Sequence, residues 1–254
     1  MKKILSMAAI ALFMMTASCS SDDSNETVNE TPSLLIKKMI ITDEDGYEET
    51  INYYYDGGNK ITNELYSDGW KVNYTYTGDL ITQVDYYNEE QVLDQTNKYE
   101  YNSNDQLVSF TILLFNVGGT NPGHKTLYTY GDDNTITAEY FYGDHASQTS
   151  PTGEATIVLE NGNFTALNHE SGSTVSYSYD DKNNPFKNII GYNAVNLSYE
   201  EGGINNPITN INTNSIGDQT FNATYTYDYN SDNFPTKCTY VNQYGSEVIQ
   251  YFYE

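Results

Sequence analysis

Apolar and polar side chains alternate with a period of two along most of the chain. Trp70, Val72, Tyr74 and Tyr76 are interleaved with Lys71, Asn73 and Thr75, and variants of this pattern recur to the last residue. Successive side chains of a strand point to opposite faces, so the period predicts half-buried antiparallel strands. An alternating pair, usually of tyrosines, marks each unit: Tyr53/Tyr55, Tyr74/Tyr76, Tyr99/Tyr101, Tyr128/Tyr130, Ile157/Leu159, Tyr177/Tyr179, Leu197/Tyr199, Tyr225/Tyr227 and Tyr251/Tyr253. Between them lie Asp45-Gly46, Asp56-Gly57-Gly58, Asp68-Gly69 and Asn161-Gly162, residue types that supply the positive φ of tight hairpins.

One hairpin per marker predicts about eighteen strands in an all-β antiparallel meander. No stretch carries a helical stripe. Leu107–Phe115 is short and β-branched, and Ile204–Thr213 contains Pro207, so helix content should be near zero. The longest loops are expected around Val117–Lys125 and Gly143–Gly153, and function carried on loops would sit there.

The width of such a sheet raises a packing problem. Closed into a round barrel, it would enclose a wide lumen, and a tyrosine face turned inward would border unfilled space. A lipid-facing barrel places aliphatic side chains outward at mid-strand and aromatics in two girdles. Here the tyrosines sit mid-strand, and their hydroxyls need partners when buried. The expectation is therefore a soluble, strongly curved sheet, barrel-like or flattened and partly open, with a tyrosine-rich interior.

The N-terminus changes the picture. Lys2 and Lys3 precede an apolar run from Ile4 to Met15, too short for a span and suited to a secretory signal. Thr16-Ala17-Ser18-Cys19 resembles the lipobox of bacterial lipoproteins, although Thr16 stands where Leu is usual; the resemblance makes Cys19 the lipidated residue after removal of 1–18. Ser20-Ser21-Asp22-Asp23 resembles the surface-export signal of Bacteroides-type lipoproteins, and it also suits a plain solvated tether over 19–33. Residues 34–254 then form a single domain. The expected location is the outer membrane, lipid-anchored and displayed at the cell surface.

The formal charge is −24, and all 11 basic residues are lysine. Without arginine or a basic cluster the chain has nothing to neutralise phosphates, which excludes nucleic acid as a partner and disfavours a bare anionic membrane. Contact with membrane is expected through the anchor alone. With Cys19 lipidated, Cys238 has no intrachain partner and reads as a small buried hydrophobe on a strand.

The tyrosine pairs followed by Asp or Asn and a turn resemble the tyrosine-aspartate repeats of Rhs-type proteins. With the lipobox and this length, the chain looks more like Bacteroides-type lipoproteins that hold a domain of unknown function described as porin-like. The resemblance spans residues 39–254 and rests on short, degenerate motifs. It implies an antiparallel barrel-like fold and brings no activity and no catalytic residues.

Candidate chemistry is sparse. The 26 tyrosines serve chiefly as strand formers that pack across strands. An open aromatic face with Tyr53, Trp70, Tyr76 and Tyr101 could stack on sugar rings, with Asn and Asp nearby to hydrogen-bond hydroxyls. Asp228-Tyr229-Asn230-Ser231-Asp232 has the opening spacing of a calcium loop, but Asn233 replaces the needed glycine and Thr239 the closing acid. His124, His145 and His169 lack metal-ligand spacing, and no nucleophile motif appears. No cofactor, metal or enzymatic activity is expected. The chain reads as a non-enzymatic binding module for a glycan or envelope component, with a structural or carrier protein for a lipidic ligand or partner chain as the alternative.

Overall fold

The computed structural model describes residues 34–131 and 133–254. The expected signal peptide, Cys19 and the tether over 19–33 lie outside them. Eight strands form the first half: β1 (Ile36–Asp43), β2 (Glu48–Tyr55), β3 (Ile61–Tyr66), β4 (Lys71–Thr77), β5 (Leu80–Tyr87), β6 (Leu93–Tyr101), β7 (Leu107–Leu114) and β8 (Pro122–Tyr130). The second half comprises β9 (Thr135–Asp144), β10 (Gln148–Glu160), β11 (Asn163–His169), β12 (Thr174–Tyr179), β13 (Pro207–Thr213), β14 (Gln219–Tyr229), β15 (Pro235–Asn242) and β16 (Gly245–Tyr253), with one short helix α1 (Asn193–Ser198) before β13. Each strand pairs antiparallel with its sequence neighbour, and β16 pairs with β1.

The all-β meander is therefore as expected, with sixteen strands rather than about eighteen, closed rather than flattened or partly open. The surplus hairpin came from the Leu197/Tyr199 marker. Leu197 lies in α1, with Val195 and Ser198 buried at helical spacing, and Tyr199 caps its C-terminus. Eight markers remain, one for each of eight hairpins.

The longest connection is also not where loop composition placed it. Strand β8 begins at Pro122 and β10 at Gln148, which leaves short turns there. Residues 180–206, between β12 and β13, are the long excursion. They touch the wall on every side: the Asn188 side-chain amide donates to the Leu34 carbonyl, the Ile190 amide to the Asn59 carbonyl, and Tyr199 bonds the Tyr86 hydroxyl. Tyr140 donates to Glu200, and Tyr229 to Asp180. One segment can meet β4, β5, β9 and β14 in a closed ring only from inside, so 180–206 fills the lumen. A sixteen-stranded wall alone would enclose a channel; this insertion and the tyrosine rings occupy it.

The insertion is seated at two seams on opposite sides of the ring. Strands β3 and β4 are registered over only Asn63–Leu65, and β11 and β12 over only Ala166–Asn168. At the second seam the Phe164 amide donates to the Gly202 carbonyl, and Gly203 bridges to Asn163. Gly203 has φ +151, and a β-carbon there would lie 2.7 Å from the Asn163 Cα, so only glycine lets the two backbones meet.

The second tyrosine of the repeat has a specific task. The end of the barrel that holds Leu35 and Glu254, whose backbones pair, is here the near end. Each hairpin is joined by its turn at the far end and is open at the near end. There the Tyr55 hydroxyl donates to the Ile36 carbonyl, Tyr101 to Ile81, Tyr130 to Leu107, Tyr179 to Phe164, Tyr227 to Pro207 and Tyr253 to Pro235, at 2.6 to 3.0 Å. In every case a tyrosine on the outgoing strand clasps the start of the incoming one. Such a bond contributes about 0.5–1.5 kcal/mol. In the β3–β4 hairpin, Tyr76 instead donates to the Ile190 carbonyl of the insertion.

The outer face is polar at mid-height. Asn63, Asn73 and Asp85 are registered side by side, as are Gln83, Lys98, Thr111 and Lys125. They alternate with Val72, Tyr74, Val84, Tyr99 and Phe110, which pack in the core with Val195 of α1.

Candidate functional site

The four aromatic residues singled out from the sequence are not gathered on one open face. Tyr53 is buried, its ring 5.9 Å from that of Phe186, which in turn stacks on Tyr192. Tyr76 and Tyr101 spend their hydroxyls on Ile190 and Ile81. Trp70 lies at the far end in the β3–β4 turn, where its amide donates to the Asp68 carboxylate. The calcium-like stretch is a capped turn, in which Asn230 Oδ1 accepts the Asp232 and Phe234 amides. No group of three metal-ligating side chains occurs among the described residues. Cys238 is buried and free, its thiol pushed up to about 11 chiefly by desolvation.

The aromatic surface that solvent does reach inside the barrel comes from the insertion. Tyr199 contacts Tyr86, Asn97 and Phe110, all on inward positions, yet it is 44% exposed. Water therefore reaches it through the far-end mouth. Its hydroxyl lies 2.6 Å from that of Tyr86 and receives the Asn97 side-chain amide at 3.0 Å, which fixes the ring as a platform across the lumen.

Beside it a recess of about 700 Å³ is lined by Tyr140, Thr152, Glu154, His169, Ser171 and Glu200. Burial raises the Glu200 carboxyl above the ordinary range, against the opposing pull of the Tyr140 hydroxyl and His169. On inward positions of β13, Asn210 and Asn212 each keep a buried side-chain oxygen that makes no hydrogen bond. Of the strand lysines, Lys38, Lys71, Lys98, Lys125 and Lys237 take outward positions, and Lys37 pairs with Glu254 at the near end. The mouth thus combines aromatic faces, amides, carboxyls and the His169 imidazole, with no strand lysine among them.

Sequence reasoning missed this site because its centre, Tyr199, was assigned to a strand. The signal that could have found it is Gly191 at one end and Gly202-Gly203 at the other, bracketing a stretch without the hairpin alternation.

Glu64 is a second buried acid, only 5% exposed, held on the wall by the Tyr66 and Tyr74 hydroxyls at 3.1 and 2.7 Å. Burial raises its carboxyl, and the two hydroxyls partly oppose that.

No protein-family model matches the chain, and no curated protein does. Solved structures do. A porin-like protein from Bacteroides vulgatus superposes with a TM-score of 0.52 at 17% identity, covering 87% of this chain and 99% of that one. A porin-like protein from Bacteroides uniformis matches at 14% identity with a TM-score of 0.41, over 86% of this chain and 96% of that one. At these identities the likeness to the first is one of fold, and the chain shares the barrel architecture of that porin-like protein.

Proposed function

We propose that this chain is a lipid-anchored envelope protein, a plugged barrel that stands outside the bilayer and binds a glycan at its far-end mouth. The observation that carries the reading is Tyr199, an exposed ring held inside the barrel by Tyr86 and Asn97. Aromatic rings stack on the apolar faces of sugars, while the Asn97, Glu200 and His169 groups around the mouth suit a polyhydroxylated ligand. The polar rows Asn63–Asn73–Asp85 and Gln83–Lys98–Thr111–Lys125 disfavour a wall facing hydrocarbon, where charged side chains cost about 2–4 kcal/mol each. The first described residues, at Leu35, pair with Glu254 at the near end, opposite the mouth.

A carrier for lipid has less support, because the apolar interior is occupied by the chain's own residues 186–199. The test is thermal unfolding without detergent against a panel of oligosaccharides and fatty acids. A ligand at a hundred times its dissociation constant adds about 2.7 kcal/mol to the folded state. An oligosaccharide that raises the midpoint of the native chain and not of Tyr199→Ala supports the reading. Precipitation without detergent, or a response to fatty acids alone, overturns it.

A further inference from the structure

The insertion does not press equally on the whole ring. Against β5–β11 the inward side chains Val84, Tyr99, Phe110, Tyr128, Ala138 and Leu167 are buried in one core with Val195 of α1. Along β12–β16 the inward Tyr177, Asn210, Tyr225, Tyr240, Ile249 and Tyr251 stay half-buried. On this looser side a cavity of about 220 Å³ lies between the insertion and the wall. Tyr177, Tyr225, Tyr227 and Tyr251 line it from the wall, and Phe186 and Glu201 from the insertion. Glu201 is exposed, so water reaches the cavity at that residue.

Most polar groups around the cavity are already engaged. The Tyr227 hydroxyl donates to the Pro207 carbonyl, Asn184 Oδ1 accepts the Phe186 amide, and the Asn206 side-chain amide donates to the Asn183 carbonyl. Glu201 differs, because it belongs to none of the three ion pairs found among the described residues, and no lysine lines the cavity. What the cavity offers is aromatic carbon around one carboxylate that has no counter-ion. A primary ammonium brings three N–H donors, for which these walls hold too few acceptors. A quaternary ammonium has no donor to satisfy, and aromatic rings within about 6 Å attract its charge through their quadrupoles.

We propose that this cavity binds a quaternary ammonium head group, with its methyl groups against the tyrosines and its charge balanced by Glu201. The volume suits such a head group and is too small for an oligosaccharide or an extended acyl chain. The inference goes beyond the glycan reading and does not rest on it. Glu201 adjoins Glu200 in sequence, so cavity and mouth are neighbours, and the variants below are chosen to tell them apart.

The test is thermal unfolding of the full chain with choline at matched ionic strength, against its neutral analogue in which a tert-butyl group replaces the trimethylammonium. At ten times its dissociation constant choline should raise the midpoint by about 3–6 °C, and the neutral analogue should need at least about tenfold more for the same shift. Glu201→Gln removes the charge at an exposed position and Tyr225→Leu removes one ring; each should weaken choline about tenfold, so the outcome stands even if one variant folds poorly. Glycerophosphocholine carries the same head group from a lipid source. A response to it or to choline supports the assignment, and the stronger of the two names the source. The proposal is overturned by a midpoint that neither compound moves, by an equal response to the neutral analogue, or by an unchanged response in both variants. Loss of the choline response in Tyr225→Leu with an oligosaccharide response intact would separate the two sites, and a choline response without any oligosaccharide response would count against the glycan reading alone.

Discussion

The Tyr101 hydroxyl donates to the Ile81 carbonyl at 2.6 Å and so joins the open ends of β5 and β6. The hairpin is closed covalently at its turn and non-covalently at its mouth. Tyr101→Phe keeps the ring and removes only the donor. It should cost about 1 kcal/mol and leave the far-end mouth unaffected, as read by denaturant midpoints with an unchanged slope. An effect of the same size is expected at Tyr130, whose hydroxyl meets Leu107 in the next hairpin; if neither substitution matters, the clasp is ornamental.

The insertion depends on Gly191, which has φ +78 and whose β-carbon would lie 2.8 Å from the Asp79 carbonyl oxygen. Gly191→Ala adds both left-handed strain and a backbone clash, worth about 1–3 kcal/mol together. The expected result is faster hydrogen exchange across residues 186–199 with the strands of the wall still protected. Uniform loss of protection would instead mean that wall and insertion unfold as one unit.

Acid should stabilise this barrel. Glu64 and Glu200 are both raised by burial, so between their unfolded and folded values the native state holds more protons than the unfolded chain. Stability from these groups is complete below the unfolded carboxylate range and is lost as pH rises through the raised values. The melting midpoint should therefore climb on moving from pH 7 toward pH 5. Glu64→Gln keeps a side chain able to bond both Tyr66 and Tyr74, and it should raise the midpoint at neutral pH while flattening this dependence. A midpoint that falls between pH 7 and 5 would contradict the assignment.

Cys238 offers a probe of global opening. Its thiol is 1% exposed and pushed up to about 11, so little thiolate exists at pH 8 and none of it is accessible. In a chain that lacks Cys19, alkylation of Cys238 should follow the unfolding rate in denaturant. Rapid labelling in buffer would show that the lumen opens beside β15.

The fold was largely legible in the sequence because a strand writes itself locally. Alternation exposes the two faces, Asp-Gly and Asn-Gly exhibit the turns, and the repeated tyrosine pair counts the hairpins. The candidate site was not legible. The Leu197/Tyr199 pair satisfies the same local pattern as Tyr177/Tyr179, yet one is followed by a clasp and the other belongs to the filling of the lumen. The pair itself does not distinguish them, because the difference lies in whether a neighbouring strand is available to pair.

The sequence by itself determined the all-β meander, the inward tyrosine face and the acidic and arginine-free character, since each follows from composition or from a period of two. Only the tertiary structure decided that the sheet closes at sixteen strands, that residues 180–206 enter the lumen, and that Tyr199 stands open while Tyr53, Tyr76 and Tyr101 are engaged in the wall. A wide ring must be filled, and which segment fills it depends on contacts between residues more than a hundred positions apart, such as Tyr86 and Tyr199. Local patterning cannot encode that closure; the packing of the whole ring does.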